Sequence, residues 1–252
     1  MEVHTHHSNK APGKKWAHYL WEFFMLFLAV TLGFFVENQR EHYVEHAREK
    51  QFMTLMIADL QTDIAEMNTI LQEVEVRALN VDSMLQLLTS DPTSNQAVVK
   101  SYRYTYPALN NITFSFNDRT ITQLKNSGNM RIIRNQKVND GIIDYWNHIE
   151  NVKQALSRHM SYRTTGRELE TKIYNVAEMY LRNNRRVDVS SDISLIPHSA
   201  GLVKEYANIV ASSGIMLSSL RAQITAQHKL AVQLLELIKK EYHLSERTPL
   251  EK

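Results

Sequence analysis

One apolar run near the start of the chain constrains its fold more than any other feature. Residues 19–36 read YLWEFFMLFLAVTLGFFV, 18 positions with a single charged side chain, Glu22. As an α-helix they extend about 27 Å, close to the ~30 Å hydrocarbon core of a bilayer. Both flanks suit an interface, with Lys14, Lys15, Trp16, Tyr19 and Trp21 at one end and Glu37, Asn38, Gln39 and Arg40 at the other. Ammonium groups and amphipathic rings of this kind sit at headgroup level. A cleaved signal peptide has a shorter apolar core followed by a small-x-small site. Here polar sequence begins at once, and the next alanine after Ala29 is Ala47.

The run therefore predicts an uncleaved transmembrane helix over residues 19–36, anchored by Trp16, Tyr19, Trp21, Glu22, Ala29 and Gly33. Glu22 lies about one turn inside the lysine-flanked end, near enough to the headgroups to stay solvated. Ala29 and Gly33 form a small-xxx-small pair that lets two spans approach closely. Three basic residues precede the span (Lys10, Lys14, Lys15) and three follow it closely (Arg40, Arg48, Lys50). The two lysines abutting the span tip the orientation towards a cytoplasmic N-terminus. Residues 1–18 then form a short cytoplasmic tail, and the rest of the chain is periplasmic in a single-pass protein of a bacterial inner membrane.

Past the span, the scarcity of turn residues sets the fold class. Seven Gly and five Pro in 252 residues are too few for a sandwich, barrel or doubly wound sheet. The sequence predicts an all-α protein, one transmembrane helix followed by an elongated antiparallel helical bundle with long helices. Residues 37–90 read as a juxtamembrane helix, with apolar positions at Ile57, Leu60, Ile64, Met67, Leu71, Val74, Ala78, Val81, Leu85 and Leu88. Their 3,4 alternation is that of a coiled-coil seam, and Met56, Ile70 and Met84 widen it towards a bundle face. Asp91 and Pro92 end this helix.

Residues 91–135 read as a connector with a short helix. Within it two alternatives stand for 95–118: a small hairpin carried by Tyr102, Tyr104, Tyr106, Phe114 and Phe116, or a short helix followed by an aromatic loop. Asp118 is placed to cap a brief helix that Gly128 leaves at positive φ. A long helix is expected over 136–186, with apolar positions including Trp146, Met160 and Tyr180 and a bend at Gly166. Arg182, Arg185 and Arg186 complement its carbonyl end. A loop at 187–200, a helix at 201–243 and a tail at 244–252 complete the chain.

Few motifs carry chemistry. His42, Glu45 and His46 match H-x-x-E-H, which places two imidazoles on one helix face as zinc ligands with the carboxylate as base. A charged, interface-proximal helix face accounts for the same residues, so no metal is assigned. His4, His6 and His7 lie in the tail. The absence of Cys excludes disulfides, thiolate zinc sites and cysteine nucleophiles. No Gly-rich phosphate loop or G-x-S-x-G is present, and a formal charge of +2 gives no reason to expect a nucleic-acid partner. The segment 119–137 gathers Arg119, Lys125, Ser127, Gly128, Arg131 and Arg134 around one turn. Its two readings are an anion pocket and a capped connector whose polar groups satisfy their own backbone.

Residues 14–63 resemble an uncharacterised family of bacterial single-span membrane proteins, whose N-terminal signature is similar to K-W…E-F-x-M-x-F-L-A-V-x-L-G-F-x-x-E-N-x-R-E. Lys15, Trp16, Glu22, Phe23, Met25, Phe27 to Val30, Leu32 to Phe34, Glu37, Asn38, Arg40 and Glu41 carry it, and the later RTITQLKNSGNMRIIRNQ extends it to about a quarter of the chain. The resemblance implies an inner-membrane anchor with a helical extracytoplasmic domain and supplies no activity. The expected function is a non-enzymatic, membrane-anchored interaction or scaffold module without a cofactor. Its partners would be the bilayer and either further copies of itself or another envelope protein. The alternatives are an extracytoplasmic sensor of a small anion that signals through a partner and, more remotely, a zinc-dependent hydrolase.

Overall fold

The structure, a computed structural model, describes residues 13–90, 94–185 and 193–244. The expected stop at Asp91 and Pro92, the tail histidines, Arg186 and residues 187–192 of the expected 187–200 loop lie outside the described residues. The described chain is all-helical: α1 (Gly13–Ser90), α2 (Asn95–Tyr102), α3 (Thr105–Ala108), α4 (Arg119–Asn126), a 3-10 turn (Asn129–Ile132), α5 (Gln136–Ile173), α6 (Val176–Arg185) and α7 (Ala200–Tyr242). Among the described residues there is no strand, only an isolated antiparallel bridge between Tyr174 and Leu195.

The chain divides into two compact units, Met1–Gln51 and Phe52–Lys252. In the first, α1 carries an 18-residue window of mean hydropathy 1.9, none of it buried. This helix is long and apolar enough to cross a membrane, and its apolar window, unlike the later part of α1, buries nothing in the core. Its internal polar groups are satisfied locally, the Thr31 hydroxyl donating to the Phe27 carbonyl one turn back at 2.8 Å. Just past the apolar run, the Arg40 guanidinium grips both Glu37 carboxylate oxygens, its closest contact being 2.8 Å.

The second unit holds the core, which α1, α5 and α7 build from residues at alternating three- and four-residue spacing. On α1 the fully buried series is Met53, Met56, Leu60, Asp63, Met67, Ile70, Val74, Arg77, Val81, Met84 and Leu88. The Leu60, Met67, Val74, Val81 and Leu88 row of the sequence reading is part of it. Its companion row (Ile57, Ile64, Leu71, Ala78, Leu85) is only half-buried, and the row containing Asp63 and Arg77 lies inside instead. Of that row the sequence reading named Met56, Ile70 and Met84 but not Asp63 and Arg77, whose charges interrupt the apolar spacing.

On α5 the same discrepancy recurs at the far end. Met160 is 39% exposed, whereas His159 beside it is 1% exposed. Gly166 does not end the helix, which continues unbroken to Ile173. A Cβ there would lie 2.5 Å from Leu109 Cδ1 and 3.3 Å from Ile209 Cγ2, so any larger residue would have to displace the buried Leu109 side chain. The opposite partners along α5 and α7 are Gly141 with Leu234, Tyr145 and His148 with Gln227, and Gly166 with Ile209.

The single helix expected over 136–186 is two helices. Tyr174 turns extended (φ −105°, ψ 141°) and bridges Leu195, while the Ile173 carbonyl accepts from the Ile196 backbone at 2.9 Å. Its ring is wedged edge-on between Tyr102 and Tyr206, at centroid distances of 4.9 and 5.9 Å. Asn175 then restarts the helix, its side-chain oxygen accepting from the Glu178 N–H at 3.2 Å. Tyr180, expected on the apolar face, is 66% exposed on α6.

In the connector, the short-helix alternative describes 95–118 and the hairpin does not. Ser94 caps α2 by accepting from the Ala97 N–H at 3.2 Å. Residues 109–118 follow α3 as a loop with Phe114 and Phe116 edge-on at 4.2 Å. Asp118 occupies the N-cap position of α4 but its side chain makes no capping bond. Gly128 leaves α4 at φ 68°, a conformation that glycine adopts without a Cβ penalty.

Candidate functional site

Buried charge costs free energy unless it is bonded, so the polar residues of the apolar seams mark where the fold does something other than pack. Two carboxylates of α1 tie down the connector. Asp59 accepts from the Arg119 guanidinium at 3.0 Å and from the Thr120 backbone and hydroxyl at 3.2 and 2.6 Å. Asp63 accepts from the backbone N–H and the side-chain amide of Asn117, both at 2.9 Å, and from the Tyr145 hydroxyl of α5. Burial first, and then the adjacent Asp63, push the Tyr145 hydroxyl far above the ordinary phenol range, which keeps it a donor. Gln227 of α7 completes this layer, donating to the Tyr145 carbonyl at 3.1 Å and meeting His148 Nδ1 at 2.7 Å. Every carboxylate oxygen here is occupied, so the layer is structural.

The second polar layer is not satisfied in this way. Arg77 is 7% exposed; its guanidinium donates to the Asn110 carbonyl, and its Nε bonds nothing. Arg163 of α5 likewise has a buried Nε without a partner. His159 is 1% exposed, and neither ring nitrogen reaches a hydrogen-bond partner. Burial, then the charges of Arg77 and Arg163, hold its pKa down to about 4, the Asn110 backbone offsetting only part of this. The imidazole is therefore neutral at pH 7. The neighbouring Arg167 is by contrast fully engaged: it grips both oxygens of buried Glu170 at 2.8 and 2.9 Å, donates to the Tyr106 carbonyl at 3.1 Å and lies 4.9 Å from the centre of the Tyr106 ring.

Arg77 also lines an open groove of about 410 Å³ with Gln72, Glu73 and Val76 of α1 and Tyr106 and Asn110 of the connector. One helix face thus offers a cation and a carboxylate one turn apart, beside an exposed aromatic ring. No hydroxyl or imidazole in the lining forms a nucleophile–base pair, so what this arrangement can do is bind.

The residues singled out from sequence are distributed differently. Arg119 pairs with Asp59, and the Lys125 ammonium sits 4.7 Å from the centre of the Trp146 ring. The Ser127 hydroxyl donates to the Gln123 carbonyl one turn back at 2.5 Å. Gly128 makes the turn before the 3-10 segment that contains Arg131, and Arg134 follows it. Arg119 and Lys125 are thus drawn to different partners. His46 Nδ1 lies 3.4 Å from Glu49, and among the described residues no group of three or more His, Asp or Glu is placed to hold a metal ion with His42, Glu45 or elsewhere. Trp16, Tyr19, Trp21, Glu22, Ala29 and Gly33 all lie on the exposed surface of α1.

Arg77, His159 and Arg163 escaped the sequence reading. The one signal they left was positional: each falls on the 3,4 spacing that continues the apolar residues on either side of it. Comparison with known proteins gives no relative, since no family model, no curated protein and no solved structure matches this chain.

Proposed function

We propose that this protein is a single-span, membrane-anchored interaction module without catalytic activity. The observation that carries the reading is the unburied apolar window of α1. Eighteen such positions in water would bring a hydrophobic penalty of tens of kcal/mol, at about 25 cal/mol per Å², and a bilayer removes it. In this reading α1, α5 and α7 form an antiparallel helical bundle with coiled-coil-like seams. The pairings of Gly141 with Leu234, Gly166 with Ile209, Gly214 with Val81 and Arg221 with Glu75 support it, since positions rise along α1 and α5 as they fall along α7. The small pair Ala29 and Gly33 brings two spans together as a homo-oligomer.

The abutting lysines favour a cytoplasmic N-terminus and a periplasmic body in a bacterial inner membrane, in keeping with the single-span family that residues 14–63 resemble. Alkaline extraction of membranes tests the anchor: the chain should stay in the pellet and leave only with detergent. Recovery in the soluble fraction after carbonate treatment overturns the reading. The absence of native Cys makes single-cysteine variants on either side of the span a clean test of orientation.

A further inference from the structure

We propose that the groove beside Arg77 is a binding site for a small organic carboxylate with an apolar body. This goes beyond the anchoring role and does not depend on it. Three observations carry it. Two guanidiniums, Arg77 and Arg163, act on each other and on a buried imidazole, yet neither bonds a carboxylate in the described structure. Their buried Nε atoms and both nitrogens of His159 have no hydrogen-bond partner among the described residues, so the local charge is poorly neutralised and an anion placed at Arg77 offsets it. Arg77 opens directly onto the groove, so its charge, which Glu73 offsets only in part, is reachable from solvent.

The lining narrows the ligand class. A guanidinium fork matches a planar carboxylate, and the side-chain amide of Gln72 supplies a further donor on the same wall. Val76 and Tyr106, 59% and 58% exposed, form an apolar and aromatic wall that none of the described residues covers fully. Glu73, one turn from Arg77 on the same helix, repels a second negative charge, which disfavours phosphate and dianions. A monoanion with an apolar body satisfies each of these surfaces.

The test uses the full chain in a maltoside detergent, unfolded thermally with sodium benzoate, benzamide or inorganic phosphate at matched ionic strength. Benzoate should raise Tm by roughly 3–5 °C at about ten times its Kd, while the neutral isostere benzamide and phosphate leave it unchanged. Arg77→Gln should abolish the shift. If that variant does not fold, Tyr106→Ala decides, because its ring lines the groove and is 58% exposed; it should weaken benzoate at least about tenfold. Binding should also raise the His159 pKa, read by imidazole NMR, because the anion offsets the charges of Arg77 and Arg163. Equal shifts with benzoate and benzamide, a larger shift with phosphate, no shift with benzoate, or undiminished affinity in Tyr106→Ala each overturn the proposal.

Discussion

The Tyr145 hydroxyl on α5 donates to Oδ2 of Asp63, a carboxylate standing in the middle of the apolar seam of α1. Asp63 is 1% exposed and Tyr145 3% exposed, and Asn117 supplies the other two bonds that the carboxylate accepts. One side chain thus fixes the register of two long helices and the loop that crosses them. A polar residue on a seam is a known means of setting register at some loss of stability.

Asp63→Leu strands the Tyr145 hydroxyl and both Asn117 donors in the interior, and should destabilise by about 3–5 kcal/mol. Tyr145→Phe leaves Asp63 its two Asn117 bonds and should lose about 1–3 kcal/mol. The double variant should lose less than the sum by about 0.5–3 kcal/mol. Denaturant melts of the four proteins check this, and strict additivity would mean that the two groups do not act as a unit.

Gly166→Ala improves helix propensity by up to about 1 kcal/mol, yet should destabilise by about 1–3 kcal/mol net. The reason is the 2.5 Å separation between the new Cβ and Leu109 Cδ1. Leu109→Ala creates a cavity in the wild type but removes this clash, so its cost should be smaller in the Gly166→Ala background. Thermal melts showing that Gly166→Ala stabilises would refute the close approach.

His159 holds its proton less tightly in the folded chain than the ordinary 6.5, with a pKa of about 4. The unfolded chain therefore binds more protons between those values, and stability is lost as pH falls from about 6.5 to about 4. The contribution is on the order of 3 kcal/mol. His159→Leu should leave stability at pH 7 equal or higher, since no ring nitrogen is bonded, and should flatten that acid limb. Burial raises the Glu170 pKa against the pull of Arg167, which gives the opposite slope over its own range. It is common to both proteins and cancels in the difference. Melts at pH 7, 6, 5 and 4 with parallel acid limbs would contradict the assignment.

At Gly33 nothing lies within 4 Å of an added Cβ. Gly33→Ile should therefore leave the helical circular-dichroism signal and Tm of the second unit intact while weakening self-association. Mass measurement in detergent at micromolar concentration reads the outcome. An unchanged oligomer would place the contact elsewhere, and a monomeric wild type would remove self-association from the proposed function.

Much of the fold was legible because helices announce themselves by simple rules. The 18 apolar positions of residues 19–36, the shortage of Gly and Pro and the long periodic stretches gave the all-helical class and the approximate extents of α1, α5 and α7. Gly128 was placed correctly at positive φ because so few residues tolerate that conformation. The break at Tyr174 left no comparable local mark, because its extended backbone is held by Leu195 and by two tyrosines distant in sequence. The same is true of Gly166, whose role depends on a loop that approaches from another part of the chain.

The polar seams divide the two kinds of information most sharply. By itself the sequence determined that this chain is helical, where its helices are apolar, and that one of them is long and apolar enough to cross a bilayer, because propensity and periodicity are local and additive. Only the tertiary structure decided that Asp63, Arg77 and His159 are inside. Whether a charged or polar side chain is buried depends on the partner that another segment brings to it. That partner is Tyr145 and Asn117 for Asp63 and the Asn110 carbonyl for Arg77, while the ring nitrogens of His159 make no hydrogen bond of normal geometry among the described residues.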